Sequence, residues 1–262
     1  LYEKPSFYGN YKVVGLKPNN QNKITQYVLY QNGMDSSGDS IHAFTHVLVS
    51  LSELSNIGNA LVLGLGAGVL SAKLSSKGFK IDAVDIDPIT LDIAKNFFRY
   101  KPKNTSFFFE DARTYVKKCE KKYDLIIIDL FFADGVPEHL TTKEFYKNLD
   151  NCLNDNGVVL SNSLMDFSNK LALNSVLSTF SNQFDDLHFF YKPGAEIGNL
   201  YIVAGKNGTS KRVEGLTVSL DFIPKGIKPR VIQVLRNAKK FKKENFNDQN
   251  ILYDEKNQFS II

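Results

Sequence analysis

The stretch NALVLGLGAGVLSAKL, Asn59 to Leu74, decides how this chain is read. An apolar run of strand length meets three glycines at alternate positions, Gly64, Gly66 and Gly68, and passes straight into a helical pattern. Glycine turns tightly and presents no Cβ, so a strand-to-helix turn of this kind predicts a cradle for a small molecule. From there to about Asn162, apolar strand-like runs alternate with helical patterns, the signature of a parallel sheet wound with helices on both faces. Strands are expected at ALVLGL, KIDAVDI, TSFFFE, YDLIIID and GVVLSN, and helices at VLSAKLSSKG, PITLDIAKNFFRY, ARTYVKKCEKK and TTKEFYKNLDNCLND. Pro88 and Gly157 read as a helix start and the residue after a helix end. Beyond the helix FSNKLALNSVLSTF, the runs DLHFFYK and NLYIVAGK flank Pro193 and Gly194 and read as an antiparallel pair completing a seven-stranded sheet.

The flanks differ. NYKVVGL and TQYVLYQNGM are strand runs joined by the polar loop KPNNQNK, which predicts a small N-terminal β-hairpin layer, and SIHAFTHVLVSLSEL has helical apolar spacing. The tail holds one expected helix, PRVIQVLRNAKKF. The domain reading is a hairpin layer over 1–38, an α/β domain carrying the glycine turn over 39–205, and a C-terminal extension with one helix over 206–262.

With 262 residues, 43% hydrophobic and 23% charged, the composition suits a globular protein with one substantial core and excludes disordered and fibrous classes. The longest apolar runs are strand-sized, short of the roughly 18 to 20 residues of a membrane helix, so no membrane contact is expected within the chain. The opening LYEKPSFYGNY has neither the basic nor the apolar region of a secretory signal, and Leu1 in place of Met fits a fragment or a processed chain. Cys119 and Cys152 form no CxxC pair, which predicts neither a disulfide nor a zinc site and points to a reducing, cytoplasmic compartment. The formal charge of +4 owes much to RNAKKFKKENF, read as a solvated helix face rather than a nucleic-acid surface. His42 and His46 share the i, i+4 spacing of metal ligands, but no Glu lies between them and no third ligand is evident, so no metal is expected.

Ligands of open α/β sheets bind at the carboxyl ends of the strands, and carboxylates fall at three successive ones. VDIDP places Asp85 and Asp87 about 20 residues past the glycines, where an acid accepts from ribose hydroxyls. FFFEDA places Asp111 to receive an exocyclic adenine amine, and IIIDLFFADG places Asp129 and Asp134 over the middle of the crevice. Taken singly, Asp85, Asp87 or Asp111 reads equally well as a helix N-cap; a buried strand-end Asp129 without a partner is costly and so reads as functional. The glycine spacing is GxGxG rather than the GxGxxG of dinucleotide sites. A row of acids repels a pyrophosphate and suits a sulfonium cation, so an S-adenosylmethionine-type ligand is favoured over NAD.

From about Phe7 to Gly205 these residues resemble the spermidine synthases, or polyamine aminopropyltransferases. SFYGNYKVV and LYQNGMDSS are similar to the family's N-terminal layer, VLGLGAGVL to its glycine motif, VDIDP to its ribose acid, EDARTYV with Asp111 and Ala112 to its adenine segment, and YDLIIIDLFFADGVPEHLTTKEFY to its catalytic strand and gate. DGVPEHLTTKEF looks like a divergent branch, some members of which follow a membrane domain. The resemblance implies a Rossmann-like S-adenosylmethionine-dependent transferase fold, decarboxylated S-adenosylmethionine as donor, an amine as acceptor, methylthioadenosine as product, and a dimer through the N-terminal layer. It also implies Asp129 as the base, Asp85 on ribose and Asp111 on adenine. Tyr27, Tyr30, His42, Asp134 and His139 are candidates for the acceptor side.

Three departures bear on the substrate. Ala67 stands where the family carries an acid in the glycine turn, IHAFTH replaces the family's YHE element, and the second acid of its DxxD motif is missing unless Asp134 serves. A diamine calls for several acids, so putrescine is in doubt as acceptor, and methyl transfer from intact S-adenosylmethionine is the alternative on the same fold. A second alternative, a non-catalytic nucleic-acid-binding module using the basic tail, predicts affinity that falls steeply with salt.

Overall fold

The apolar strand and the glycine turn lie at the centre of the molecule. The structure, a computed structural model, describes residues 2–17, 24–38, 42–130, 136–206, 208–242 and 248–254. Four short strands come first: β1 (Tyr2–Ser6), β2 (Gly9–Leu16), β3 (Gln26–Gln31) and β4 (Met34–Gly38). After α1 (Ala43–Leu51), strands and helices alternate through β5 (Asn59–Leu63), α2 (Val69–Ser76), β6 (Lys80–Asp85), α3 (Ile89–Phe97), β7 (Thr105–Phe109), α4 (Ala112–Lys117), β8 (Tyr123–Ile128), α5 (Lys143–Cys152), β9 (Leu153–Asp166) and α6 (Lys170–Gln183). Then follow β10 (Asp186–Phe190), β11 (Ile197–Gly205), α7 (Thr209–Glu214), α8 (Lys228–Leu235) and β12 (Lys239–Lys240).

The main sheet runs β12-β10-β11-β9-β8-β5-β6-β7. Pairs from β9 to β7 are parallel, and β11, β10 and β12 add antiparallel. Along β5, Ala60 and Val62 enter one helix layer, with α1, α2 and α8, while Leu61 and Leu63 enter the other, with α4, α5 and α6. β8 repeats the division with Leu125 and Ile127 against Ile126 and Ile128. Both faces are buried, which is why these strands read as unbroken apolar runs.

Among the described residues the sheet has eight strands where the sequence predicts seven. The added strand, β12, comes from the end of the run PRVIQVLRNAKKF, expected as helix throughout. That helix stops at Leu235; the Asn237 side-chain amide donates to the Tyr191 carbonyl at 2.9 Å, and the Phe241 N–H donates to the Leu187 carbonyl at 3.0 Å, drawing the chain onto the open edge of β10. The extension also forms α7, a second helix where one is expected. Gly157 lies inside β9, within the break in its pairing register between Leu153 and Val158, rather than after a helix end.

The N-terminal layer is a four-stranded antiparallel sheet in chain order, not a single hairpin. Asn32 and Gly33 hold φ of 52° and 82°, the double left-handed conformation of a two-residue hairpin turn. It divides TQYVLYQNGM into β3 and β4. Tyr11, Val13 and Leu29 from this sheet pack with Ala67, Ile89, Ile93 and Phe98, closing its inner face on the glycine turn and α3.

Cys119 and Cys152 form a disulfide, their Cα atoms 5.8 Å apart, against the expectation of two unrelated thiols. Their separation of 33 residues hides the side-by-side packing of α4 and α5: Cys152 ends α5 and Cys119 lies two residues past the end of α4. No helix among the described residues is long and apolar enough to cross a membrane.

Candidate active site

Gly64, Gly66 and Gly68 hold φ of 95°, 51° and 74°, conformations that cost a side-chain-bearing residue dearly. At Gly64 the demand is spatial as well, since a Cβ there would collide with the Asp129 carbonyl oxygen. The two positions meet because β5 and β8 run side by side into the crevice, with the Asp129 N–H donating to the Leu63 carbonyl at 2.9 Å. Gly68 precedes α2 against the Tyr100 ring, which a Cβ would meet at 2.8 Å. Ala67 between them is fully buried.

Asp85 ends β6 and grips this turn. One carboxylate oxygen accepts from the Leu65 N–H at 2.9 Å and the other from the Asp87 N–H at 3.0 Å. Burial pushes the Asp85 carboxyl up, opposed by the Asp87, Leu65 and Gly66 backbone donors. Asp87 is committed elsewhere: its carboxylate accepts from the Ile89 N–H at 3.1 Å at the start of α3, and from the Ser6 hydroxyl. Tyr11, beside both acids, is pushed far up by burial and by their charges. Ser6 and Tyr11 therefore fasten the N-terminal sheet over the end of β6, a contact the sequence reading missed.

Asp111 caps α4, accepting from the Thr114 N–H at 2.9 Å, and its second oxygen lies 3.2 Å from His139 Nε2. Burial opposes ionisation there, but the Thr114 N–H and the His139 ring hold the carboxyl below the usual range. Ala112 is buried as the first residue of α4. Arg113 donates to the His139 carbonyl at 2.8 Å and pairs with Asp254, pinning the short helical turn that carries His139. His139 thus sits on the Asp111 side of the crevice.

Asp129 follows β8. Its carboxylate accepts from the Asn162 side-chain amide at 2.8 Å, and burial pushes it up to about 6 even though that donor pulls it down. Asn162 accepts in turn from Asn199 at 2.9 Å. Tyr201, cross-strand partner of Asn162, is pushed far up by burial and then by the Asp129 charge. These three residues carried a sequence signal that went unused: LSNSL and GNLYI place polar side chains within strands that are otherwise apolar.

The remaining candidates scatter. The Tyr27 ring packs on Phe97 and Phe98 at 6.0 and 6.2 Å, joining the N-terminal sheet to α3. Tyr30 is half-buried on β3. His42 stacks on Phe44 at 5.3 Å beside Gly38, and His46 is fully buried against Phe222. Asp134 lies outside the described residues. No group of three or more potential metal ligands occurs among the described residues.

A glycine turn after the first core strand, with acids at the ends of the next three, on a mainly parallel sheet closed by antiparallel strands, defines the α/β fold of S-adenosylmethionine-dependent methyltransferases and their relatives. The family model of the spermine/spermidine synthase domain matches residues 42–207, and the chain belongs to that family. A polyamine aminopropyltransferase of Vibrio vulnificus is 33% identical over 150 residues, covering 55% of this chain and 49% of that protein. An N-terminal histidine N-methyltransferase of Emericella nidulans is 35% identical over 130 residues, covering 47% of this chain and 23% of that one. In fold, a probable spermidine synthase of Corynebacterium glutamicum superposes with TM-score 0.69 at 17% identity over 82% of this chain and 85% of that one. The chain spans about half the length of the curated polyamine aminopropyltransferases it matches.

Proposed function

We propose that this chain transfers the aminopropyl group of decarboxylated S-adenosylmethionine to an amine, with Asp129 as base. The observation that carries the reading is the state of Asp129: a carboxylate at the centre of the crevice, raised to about 6 by burial and touched, among the described residues, by one neutral donor. The names borne by relatives such as the Vibrio vulnificus protein support the group transferred. The residues fit a nucleoside donor, because Asp85 and Asp111 each keep lone pairs beyond those their protein partners occupy. Those lone pairs suit ribose hydroxyls and an adenine amine, with Ala112 beside them. Within the turn, Gly64 and Gly66 are half-buried while Gly68 is buried against Tyr100. When bound, the donor supplies a carbon made electrophilic by a sulfonium leaving group.

What remains for the protein is to present a neutral amine in line and to take its proton. Asp129 does both: it accepts a hydrogen bond from the acceptor nitrogen, which orients the lone pair, and receives the proton as the new C–N bond makes that nitrogen acidic. Asp87 is left to a structural role by its bonds to Ile89 and Ser6, and His139 acts on the donor side through Asp111.

A second reading, methyl transfer from intact S-adenosylmethionine, is favoured by one observation. Ala67 is neutral, fully buried and packed on the N-terminal sheet, so the turn presents no acid to hold a donor's amine. The named activity of the Emericella nidulans relative supports it too. One experiment separates the two: incubate the chain with each donor and a panel of primary amines, then quantify methylthioadenosine and S-adenosylhomocysteine by mass spectrometry. Methylthioadenosine formed only with the decarboxylated donor is the expected result; S-adenosylhomocysteine formed with the intact donor, and no methylthioadenosine, would move the assignment to methyl transfer.

A further inference from the structure

Asp129 and Asn162 are neighbours by register. β8 and β9 are parallel with Ile128 opposite Ser161, so the residue after each enters the crevice beside the other. Asn162 is opposite Tyr201 on antiparallel β11, and Asn199, two residues before Tyr201, lies on the same face at the diagonal position. The result is a line of three side chains: Asn199 donates to Asn162 at 2.9 Å, and Asn162 donates to Asp129 at 2.8 Å.

A primary amide has one accepting end and one donating end. An ionised carboxylate accepts only, so Asn162 serves Asp129 with its nitrogen alone, and its oxygen then faces away and needs a donor. Asn162 is 1% exposed, so no bulk water is at hand to supply that donor or to compensate a reversed amide. Asn199, on the half-buried side of the same face, provides it. Resting on the reading of Asp129 as base, we propose that Asn199 is a positioning residue for the transfer reaction: it fixes the direction in which Asn162 presents its amide, and through it holds Asp129 in the ionised, accepting form.

Few other groups compete for this control. Among the described residues, the titratable side chain on the adjoining strands whose field is coupled to Asp129 is Tyr201 on β11, and burial keeps it neutral through the relevant pH range. Across the crevice, Asp85 and Asp87 on the β6 side are held by Leu65, Ile89 and Ser6, and Asp111 by Thr114 and His139.

The test is a carboxyl ¹³C NMR titration of Asp129, assigned by the signal lost in Asp129→Asn, alongside the pH profile of kcat. Asn199→Leu frees the Asn162 amide to turn its oxygen toward Asp129, so it should raise the Asp129 midpoint by about one pH unit, the size of that lost hydrogen bond to a charged group, and move the acid limb of the rate upward with it. Asn199→Asp, close in shape, should raise it further, because Asn162 then faces two acceptors. Asn162→Leu should raise it as well, and adding Asn199→Leu to that variant should raise it no more, since Asn199 acts only through Asn162. An unchanged midpoint in Asn199→Leu, or an Asn199→Leu shift that survives intact in the Asn162→Leu background, overturns the proposal; the Asn199→Asp shift also contains the direct repulsion of a second carboxylate and decides nothing alone. The NMR midpoint needs no turnover: shifts as expected in a protein that transfers nothing would leave the amide line standing and remove Asp129 as base.

Discussion

The two halves of the crevice use their carboxylates in opposite ways. On the β6 side, Asp85 holds the glycine turn through the Leu65 N–H, and Asp87 holds the start of α3 and the N-terminal sheet through Ile89 and Ser6. Each acid there is surrounded by donors belonging to the chain. On the β8 side, Asp129 has one neutral amide partner among the described residues, and burial raises it to about 6. The difference teaches how to tell a fastening acid from a reactive one. Burial raises both Asp85 and Asp129, but at Asp85 backbone N–H donors oppose the rise and tie the acid to the turn, whereas Asp129 meets one neutral side-chain donor among the described residues and is raised to a value usable near neutral pH.

The strongest way to break this comparison is Asp129→Asn. It should lower kcat by about 10²-fold or more, the usual contribution of a positioned base. Stability at pH 7 to 8 should rise, because the new amide oxygen still accepts from Asn162 while a poorly solvated charge disappears. Single-turnover rates and thermal melts measured together check this; retention of the wild-type rate would put the reactive acid elsewhere. Gly64→Ala tests where the halves join. A methyl group driven against the Asp129 carbonyl at a φ of 95° should cost about 3 kcal/mol or more, read as a fall in denaturant midpoint. A variant with an unchanged midpoint would show that β5 and β8 separate more easily than their register implies.

Much of this arrangement was legible in the sequence where one residue type had one physical use. The alternating glycines marked the turn, and the apolar runs around Ala60 to Leu63 and Leu125 to Ile128 marked the central strands, because both faces are buried. Asp111 as a helix cap was legible too, but its pairing with His139, 28 residues on, depends on how the turn at Glu138–Leu140 folds back. Contacts between distant strands were out of reach for the same reason. Nothing local says that Asn199 sits diagonal to Asn162, that Ser6 meets Asp87, or that Lys239 and Lys240 are pulled from a helical pattern onto the edge of β10. Local pattern predicts elements; the partners that give a polar residue its role come from register.

The pH dependence of stability sharpens the contrast between acids. Asp129 has a folded-state value near 6, above the roughly 3.9 of an unfolded aspartate, so the native state favours its protonated form. Its stabilising contribution is complete below about pH 4 and is lost as pH rises from about 4 to 6. The stability difference between Asp129→Asn and wild type should therefore be small at pH 4 and grow to no more than about 3 kcal/mol above pH 6. Asp111 behaves in the reverse sense: held below the usual range, it stabilises above the unfolded value and loses that contribution as pH falls. Melts of Asp111→Asn should differ from wild type throughout that range and converge on it only below about pH 4, whereas those of Asp129→Asn converge already at pH 4 and differ with the opposite sign above it.

The smallest effect concerns the contact between the nucleotide half and the N-terminal sheet. If Asp87 serves as a fastener, its bond to the Ser6 hydroxyl contributes to docking that sheet, and Ser6→Ala should cost about 1 kcal/mol or slightly more, as expected for a hydrogen bond to a charged group. Asp87→Ala should cost more, since it also removes the acceptor for the Ile89 N–H at the start of α3. In the Asp87→Ala background, Ser6→Ala should cost less, because only the bond that the Ser6 oxygen accepts from the Tyr8 N–H at 3.0 Å is then lost. Independent, additive losses in this cycle would mean that the sheet is held by the packing of Tyr11, Val13 and Leu29 on Ala67 and α3 alone. Asp87 would then be free of that duty, and the β6 half would hold a second carboxylate available to a ligand.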